Sequence, residues 1–241
     1  MSPFWLAWSF LTVFPAPGQK VATSEEFVRS RVWYPAVGLA LGCLWGGAAW
    51  LVGHWNPPAG LTGVVLLAVG LLATGFLHFD GLLDSADALL APRTPQRRLE
   101  ILKDVHMGSF ALGVGGLWLI GMWQVLSMGV DWRFLVALPV LSRAALLVPI
   151  HLFPYARAVD ASSLDRSAKG LAWRWVFPVL SCAPAVWLFP AQALTVLGIQ
   201  IAGAWWASRK LGGGITGDIY GALLCLSEFG ALTHHVLGVP R

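Results

Sequence analysis

Charge is scarce in this chain. Of its 241 residues only 12% are Asp, Glu, Lys or Arg, about half the share of an ordinary soluble domain. Hydrophobic residues make up 57% and the mean hydropathy is +0.68, which together exclude a water-soluble globular protein. Cysteine is scarce as well. Cys43, Cys182 and Cys225 lie in separate apolar runs without CxxC spacing, a pattern that excludes a disulfide framework or a structural zinc site. No basic residue precedes the first apolar run, "MSPFWLAWSFLTVFPAP", and it carries no small-residue cleavage pattern, so it does not read as a cleaved signal peptide. Its apolar core is too short to cross a bilayer and predicts a re-entrant or interfacial segment. A large positive excess is also missing. The net charge of +4 bears on membrane orientation rather than on nucleic acid, which is not expected as a partner.

Long uncharged stretches are what the chain does have. Several reach the roughly 20 residues a helix needs to cross the hydrocarbon core, and they predict an all-α, polytopic transmembrane bundle of about seven spans. The expected spans are Trp33–Gly53, Gly60–His78, Gly108–Met128, Phe134–Phe153, Trp173–Phe189, Ala191–Ala207 and Ile219–Leu237. They use nearly the whole chain, so residues 1–241 read as one integral membrane domain.

The connections fall into two sets. "HWNPPAG", "GVDWR" and the "FPAQ" corner are short and almost bare of charge. The others are long and basic: Lys20, Arg29 and Arg31; Arg93, Arg97, Arg98 and Lys103; Arg157, Arg166, Lys169 and Arg174; Arg209 and Lys210. Bare and basic loops alternate, and the excess of Lys and Arg assigns the basic set to the cytoplasm. The C-terminus then faces the other side. Within the first expected span Gly38, Gly42 and Gly46 recur every fourth residue, the small-xxx-small pattern that lets two helices approach closely in lipid.

The polar residues that could do chemistry gather on the basic side. In "GFLHFDGLLDSADALLAPR", Asp80, Asp84 and Asp87 stand at i, i+4 and i+7, so a continuing helix carries all three carboxylates on one face. Like charges at that spacing repel unless a cation lies among them, and hard oxygen donors of this kind suit Mg²⁺, which takes one or two carboxylates and fills its remaining positions with water or phosphate oxygens. The alternative is a solvated helix end bearing three unrelated acids. In "RRLEILKDVHMG", Glu100 and Asp104 form a second pair at i, i+4 on an expected short amphipathic helix beside Lys103. By itself this is an ordinary solvated face; opposite the first cluster it would hold metal across a diphosphate.

Three further features fit a phosphate site. "LGGGITGD" is a glycine-rich connection flanked by Arg209 and Lys210, whose backbone N–H groups could face phosphate; it is equally an ordinary helix connection. Arg143 lies inside an apolar run, about 15 Å of helix from Pro154, too far to snorkel easily, and is expected to turn inward to an anionic substrate group or to one of the aspartates. "PYAR" adds Tyr155 and Arg157 at the end of the same span. His78 and His106 flank the acidic clusters and could act as bases, ligands or hydrogen-bonding partners; His54, His151, His234 and His235 receive no role. From the residues alone the chain reads as a membrane-embedded, Mg²⁺-dependent transferase acting on a diphosphate. The DGxxAR…GxxxDxxxD pattern of the CDP-alcohol phosphatidyltransferases is absent, as is the NDxxD of the aromatic prenyltransferases. A phosphatidyltransferase-like enzyme with a lipid acceptor remains an alternative, as does a cation transporter, although no internal repeat of the kind transporters carry is visible.

Taken in order, "FLTVFPAP", "YPAVGLALG", "LHFDGLLDSADALLAPRTPQRRLEILKDVHMGSF", "LSRAALL", "YAR" and "LGGGITGDIYGALLCLSE" resemble the cobalamin synthase family, the adenosylcobinamide-GDP ribazoletransferases. The likeness covers nearly the whole chain, and HxDGLxDxxD and GGxTGDxxGA are specific to that family. It implies an enzyme of the cytoplasmic membrane of a bacterium or archaeon, working at the cytoplasmic face, in which a ribose hydroxyl of α-ribazole or its 5′-phosphate attacks the cobinamide-side phosphorus of adenosylcobinamide-GDP and GMP leaves. It further implies Mg²⁺ on Asp80, Asp84 and Asp87, a second metal or nucleophile-orienting role for Glu100 and Asp104, charge compensation by Lys103, Arg143 and Arg157, and a remaining wall shaped by Gly213, Gly214, Thr216 and Asp218. His78 and Tyr155 join the substrate-binding set. A second copy of the chain or other enzymes of the cobalamin pathway are the protein partners it leaves open. One position departs from the family pattern: Ala88 follows Asp87 where the family repeats Asp-Gly. If that glycine gives close approach to phosphate, Ala88 narrows the site slightly.

Overall fold

A computed structural model describes residues 2–18, 22–156 and 176–238, and every described element is helical. The chain opens with α1 (Pro3–Leu11), started by the Ser2 cap. Its nine residues span only about 13 Å, and Ala7 and Leu11 are buried in one cluster with Tyr34, Val37, Ala73 and Leu147. α2 (Ser24–Ser30) begins in a reciprocal Thr23–Glu26 capping box and runs through a 3-10 turn, Arg31–Trp33, into α3 (Tyr34–Trp55).

Then follow α4 (Ala59–Ala73), α5 (Leu77–Leu90) and the short α6 (Pro95–Ile101). After these come α7 (Ser109–Ser127) and α8 (Trp132–Leu152). The last three helices are α9 (Val176–Leu188), α10 (Pro190–Leu211) and α11 (Gly217–Gly238). Among the described residues three helices are long and apolar enough to cross a membrane, within Ser24–Trp55, Ser109–Ser127 and Trp132–Leu152; the bent pair α4–α5 makes a fourth if it is one span. Trp173, where the fifth expected span starts, lies outside the described residues.

The glycine row of α3 is a packing seam. A Cβ on Gly38 would run into the carbonyl of Pro139, and one on Gly42 into that of Val136, so α3 and α8 meet backbone to backbone. Indole N–H groups tie other helices across the interior: Trp45 donates to the Leu66 carbonyl at 2.8 Å and Trp118 to that of Cys225 at 3.1 Å. Such bonds satisfy polar atoms that lipid would leave unpaired.

The second expected span does not run on to His78. α4 stops at Ala73, and α5 leaves at 89° to it. The cause is local: Gly75 and Phe76 both have left-handed backbones, at φ 59° and 60°, and their N–H groups donate to the Leu72 and Leu71 carbonyls at 3.1 and 3.0 Å. Glycine at this position is the usual helix stop. The turn is held from outside by the Val13 N–H on the Ala73 carbonyl at 3.1 Å. At the other end of α5 the buried Arg98 guanidinium donates to the Ala88 and Leu89 carbonyls at 2.5 and 2.7 Å, capping the last turn. The helix carrying the three aspartates is thus fixed at both ends and turned across the direction of α4.

Candidate functional site

α5 and α11 cross at two glycines. A Cβ on Gly81 would lie 2.6 Å from the Asp218 carbonyl oxygen and 3.1 Å from Gly221 Cα, and one on Gly221 would lie 3.1 Å from the His78 carbonyl. Only glycine at both positions lets the backbones come this close. The contact brings together two segments far apart in sequence, "HFDG" and "GDIYG", and with them the carboxyl groups of Asp80 and Asp218.

Those two side chains line one cavity of about 280 Å³, walled also by His78 from α5, Tyr220 from α11, Tyr155, and Phe10, Phe27, Arg31 and Tyr34 from the first three helices. Thr216 is buried beneath it and donates its hydroxyl to Asp218 at 3.1 Å, which orients that carboxylate. Tyr155 is set by a two-bond bridge: the Ala156 N–H donates to Ile215 and the Ile215 N–H to Pro154, both at 3.0 Å. Of the residues singled out from sequence, His78, Asp80, Tyr155 and Asp218 meet here. Arg31, Tyr34 and Tyr220 were missed; Arg31 stood in the sequence only as one of the basic-loop charges, and nothing local marked the two tyrosines.

The three aspartates of α5 have separate surroundings. Asp80 is exposed at the cavity, and Asp84 is half-buried one turn further along. Asp87 accepts the N–H of Gly108 at 2.6 Å and of Ala111 at 3.0 Å, one on each carboxylate oxygen. It therefore caps the start of α7, where orphan N–H groups favour an anion. Among the described residues no group of three or more His, Cys, Asp or Glu side chains converges as a metal cluster. The donor set at the cavity is the pair Asp80 and Asp218, hard oxygens from two helices, which fits a cation that takes one or two carboxylates and leaves the rest of its shell to ligand oxygens.

Other expectations need correcting. Glu100 and Asp104 do not share a helix, because α6 ends at Ile101. Glu100 pairs with Arg97 at 2.7 Å. Asp104 pairs with His106 at 2.7 Å and accepts its N–H at 3.1 Å, and these bonds hold its carboxyl below the ordinary range. Both acids are exposed and, like Lys103, lie off the cavity. The glycine-rich connection is not an open cradle either. The Gly213 N–H donates to Ser208 at 2.8 Å, finishing α10, and the Ile215 N–H is used on Pro154; a Cβ on Gly214 would lie 2.8 Å from the Pro154 oxygen and from Ala156 Cα. Its glycines serve the turn and the close approach of the chain beside it. The Ala88 methyl is fully buried among Leu89, Leu102, Leu211 and Ile215, so it fills core and narrows no phosphate site. Arg157 lies outside the described residues.

Arg143 does turn inward, but to neither an aspartate nor the cavity. Its guanidinium pairs with Glu228 of α11 and donates to Ser142 Oγ at 2.9 Å. Ser142 donates to the same carboxylate at 2.7 Å, and Gln200 joins through the Ser142 carbonyl at 3.0 Å. Glu228 was missed by the sequence reading; an acid inside an apolar run facing an intramembrane arginine is the signal that marks it.

The described fold and site define an all-helical protein of apolar, membrane-crossing length with a two-carboxylate cavity built where a bent helix crosses the start of α11. The family model described as cobalamin-5-phosphate synthase matches residues 3–236. The chain belongs to the cobalamin-5-phosphate synthase family. It is 40% identical over 226 residues to the adenosylcobinamide-GDP ribazoletransferase of Deinococcus radiodurans, covering 92% of this chain and 81% of that one. It is 36% identical over 241 residues to the protein of the same name from Desulfitobacterium hafniense, covering 95% and 94%. No solved structure matches the chain.

Proposed function

We propose that this chain is a membrane transferase that joins adenosylcobinamide-GDP to α-ribazole or α-ribazole 5′-phosphate. A ribose hydroxyl oxygen forms a bond to the cobinamide-side phosphorus, the bond from that phosphorus to the GMP oxygen breaks, the hydroxyl proton departs, and adenosylcobalamin or its 5′-phosphate is released with GMP. The observation that carries this reading is the meeting of Asp80 and Asp218 at one cavity through the Gly81–Gly221 contact.

Asp80 and Asp218 are the residues that would hold Mg²⁺, a cation suited to one or two carboxylates. When bound, the metal offsets charge on the diphosphate and on the departing GMP. The chain's own residues do the rest. Thr216 keeps the Asp218 carboxylate aimed by its hydrogen bond. Arg98 caps the end of α5, and Asp87 caps the start of α7; both contribute to the stability of the helices around the site. His78 is a buried part of the cavity lining. Holding acceptor and donor in line supplies most of what such a displacement needs.

The cavity belongs to the cytoplasmic side. Arg31 lines it, and Arg93, Arg97, Arg98, Arg209 and Lys210 lie in connections on the same side of the alternating pattern. α10 and α11, at 22 residues each, are about 33 Å long and are membrane crossings in this reading. With α3, α7, α8 and the bent pair α4–α5 taken as one span they make six of the seven passes expected from sequence; α9, at 13 residues, is too short by itself to cross the hydrocarbon core. The test is GMP release by detergent-purified protein supplied with adenosylcobinamide-GDP, α-ribazole and Mg²⁺. Release by wild type, abolished by chelator and reduced at least about 100-fold in Asp80→Asn and Asp218→Asn, is the expected result. Full activity in both variants would remove the cavity from the reaction.

A further inference from the structure

The cavity has two chemically different ends. Its carboxylates come from α5 and α11. Its other wall, from α1, α2 and the start of α3, is aromatic and, among the described residues, carries one cation, Arg31. Phe10 packs edge-on to Phe27 with ring centres 4.9 Å apart and parallel to Tyr34 at 6.4 Å. The Arg31 guanidinium lies over the Phe27 ring at 5.9 Å, a stacking that fixes it without neutralising it.

Arg29, two positions before it, pairs with Glu25, whereas Arg31 makes no ion pair among the described residues. An arginine held at a cavity wall by a ring and engaged in no ion pair among the described residues, its fork of donors matched to phosphate geometry, suits a phosphate. At about 280 Å³ the cavity lies just below the usual size of small-molecule sites, too small for a corrinoid. The donor's diphosphate is taken by the carboxylates Asp80 and Asp218, which leaves Arg31 for a phosphate of the acceptor.

We infer that Arg31 is the residue that binds the 5′-phosphate of a phosphorylated acceptor, whose planar base packs against the Phe10–Phe27–Tyr34 wall with a ribose hydroxyl directed toward Asp80 and Asp218. This rests on the transferase reading above and adds to it the assignment of the two ends and a residue that discriminates phosphorylated from unphosphorylated acceptor.

The experiment measures kcat/KM for α-ribazole 5′-phosphate and for α-ribazole, at fixed adenosylcobinamide-GDP and Mg²⁺, in wild type, Arg31→Gln and Arg31→Lys. Hydrogen bonds to a charged group contribute on the order of 1.5–3 kcal/mol. The ratio of the two values, phosphorylated over unphosphorylated, is therefore expected to fall about 10- to 100-fold in Arg31→Gln and to recover in part in Arg31→Lys, which restores the charge without the fork. A ratio unchanged from wild type overturns the inference, whether both values fall together, as for a structural or donor-side role, or neither falls. Wild-type protein inert toward both acceptors overturns the transferase reading itself, a result distinct from active wild type with an unchanged ratio.

Discussion

Gly81 and Gly221 touch: a methyl group added to Gly81 would lie 2.6 Å from the Asp218 carbonyl and 3.1 Å from Gly221 Cα. Both obstacles are backbone, so neither can rotate away. Gly81→Ala therefore pushes α5 off α11. Overpacking of this kind costs about 1–3 kcal/mol, read as a lower unfolding temperature in detergent. It also moves Asp80 away from Asp218, so GMP release is expected to fall further than stability alone accounts for. Gly53→Ala, at a glycine with open space around it, is the control and is expected to match wild type in both assays.

Asp87 and its two companions on α5 separate by assay. Asp87→Asn weakens the cap on α7, which costs about 0.5–2 kcal/mol, and is expected to lower thermal stability while leaving the Mg²⁺ concentration for half-maximal GMP release where it was. Asp80→Asn is expected to do the reverse, keeping the unfolding temperature and abolishing the response to Mg²⁺. Equal effects of the two substitutions in both measurements would show that the aspartates act as one cluster.

The Arg143–Glu228 pair is buried among Ser142, Gln200 and Ser227. Removing one partner strands a charge, a loss of about 3–5 kcal/mol, so Glu228→Leu is expected to unfold at a markedly lower temperature. Arg143→Met together with Glu228→Leu removes both charges and is expected to recover much of that loss. A double variant as unstable as the sum of the singles would mean that the two groups do not act on each other.

Below the ordinary carboxylate range the Asp104–His106 contact fails. Hydrogen bonds from the His106 side chain and backbone hold the Asp104 carboxyl below its usual 3.8. A depressed folded-state value means the ionised contact is complete above the unfolded value and is lost as pH falls through the folded one. Asp104 is fully exposed, so the effect is local. A carbon-detected titration of Asp104 is expected to show its midpoint below 3.8 and to rise toward it in His106→Ala.

Much of the fold was legible because lipid constrains a sequence so strongly. The glycine row at Gly38, Gly42 and Gly46 could be read as a helix seam, and it packs against α8 as that reading requires. The bend after Ala73 could not: Gly75 was visible, but the left-handed backbone of Phe76 depends on the turn it completes. Likewise the i, i+4, i+7 row made a trio of Asp80, Asp84 and Asp87, because helical spacing says which side chains share a face and not what the next helix brings to it. The N-terminus of α7 occupies Asp87, and Asp218 faces the cavity with Asp80 from 138 positions further along the chain. Glu100 and Asp104 show the same limit on a smaller scale, since α6 ends too early to align them.

What the sequence by itself determined is the apolar surroundings of the protein, its helical class, the alternation of bare and basic connections, and the two motif segments that mark its family. These follow from composition, period and local order, which act within a few turns of the chain. The partners were decided only in three dimensions: Asp218 with Asp80, Glu228 with Arg143, Arg31 with an aromatic wall. Each pairing depends on where a helix stops and how closely another can approach it, and those distances are set by packing between segments that the chain holds far apart.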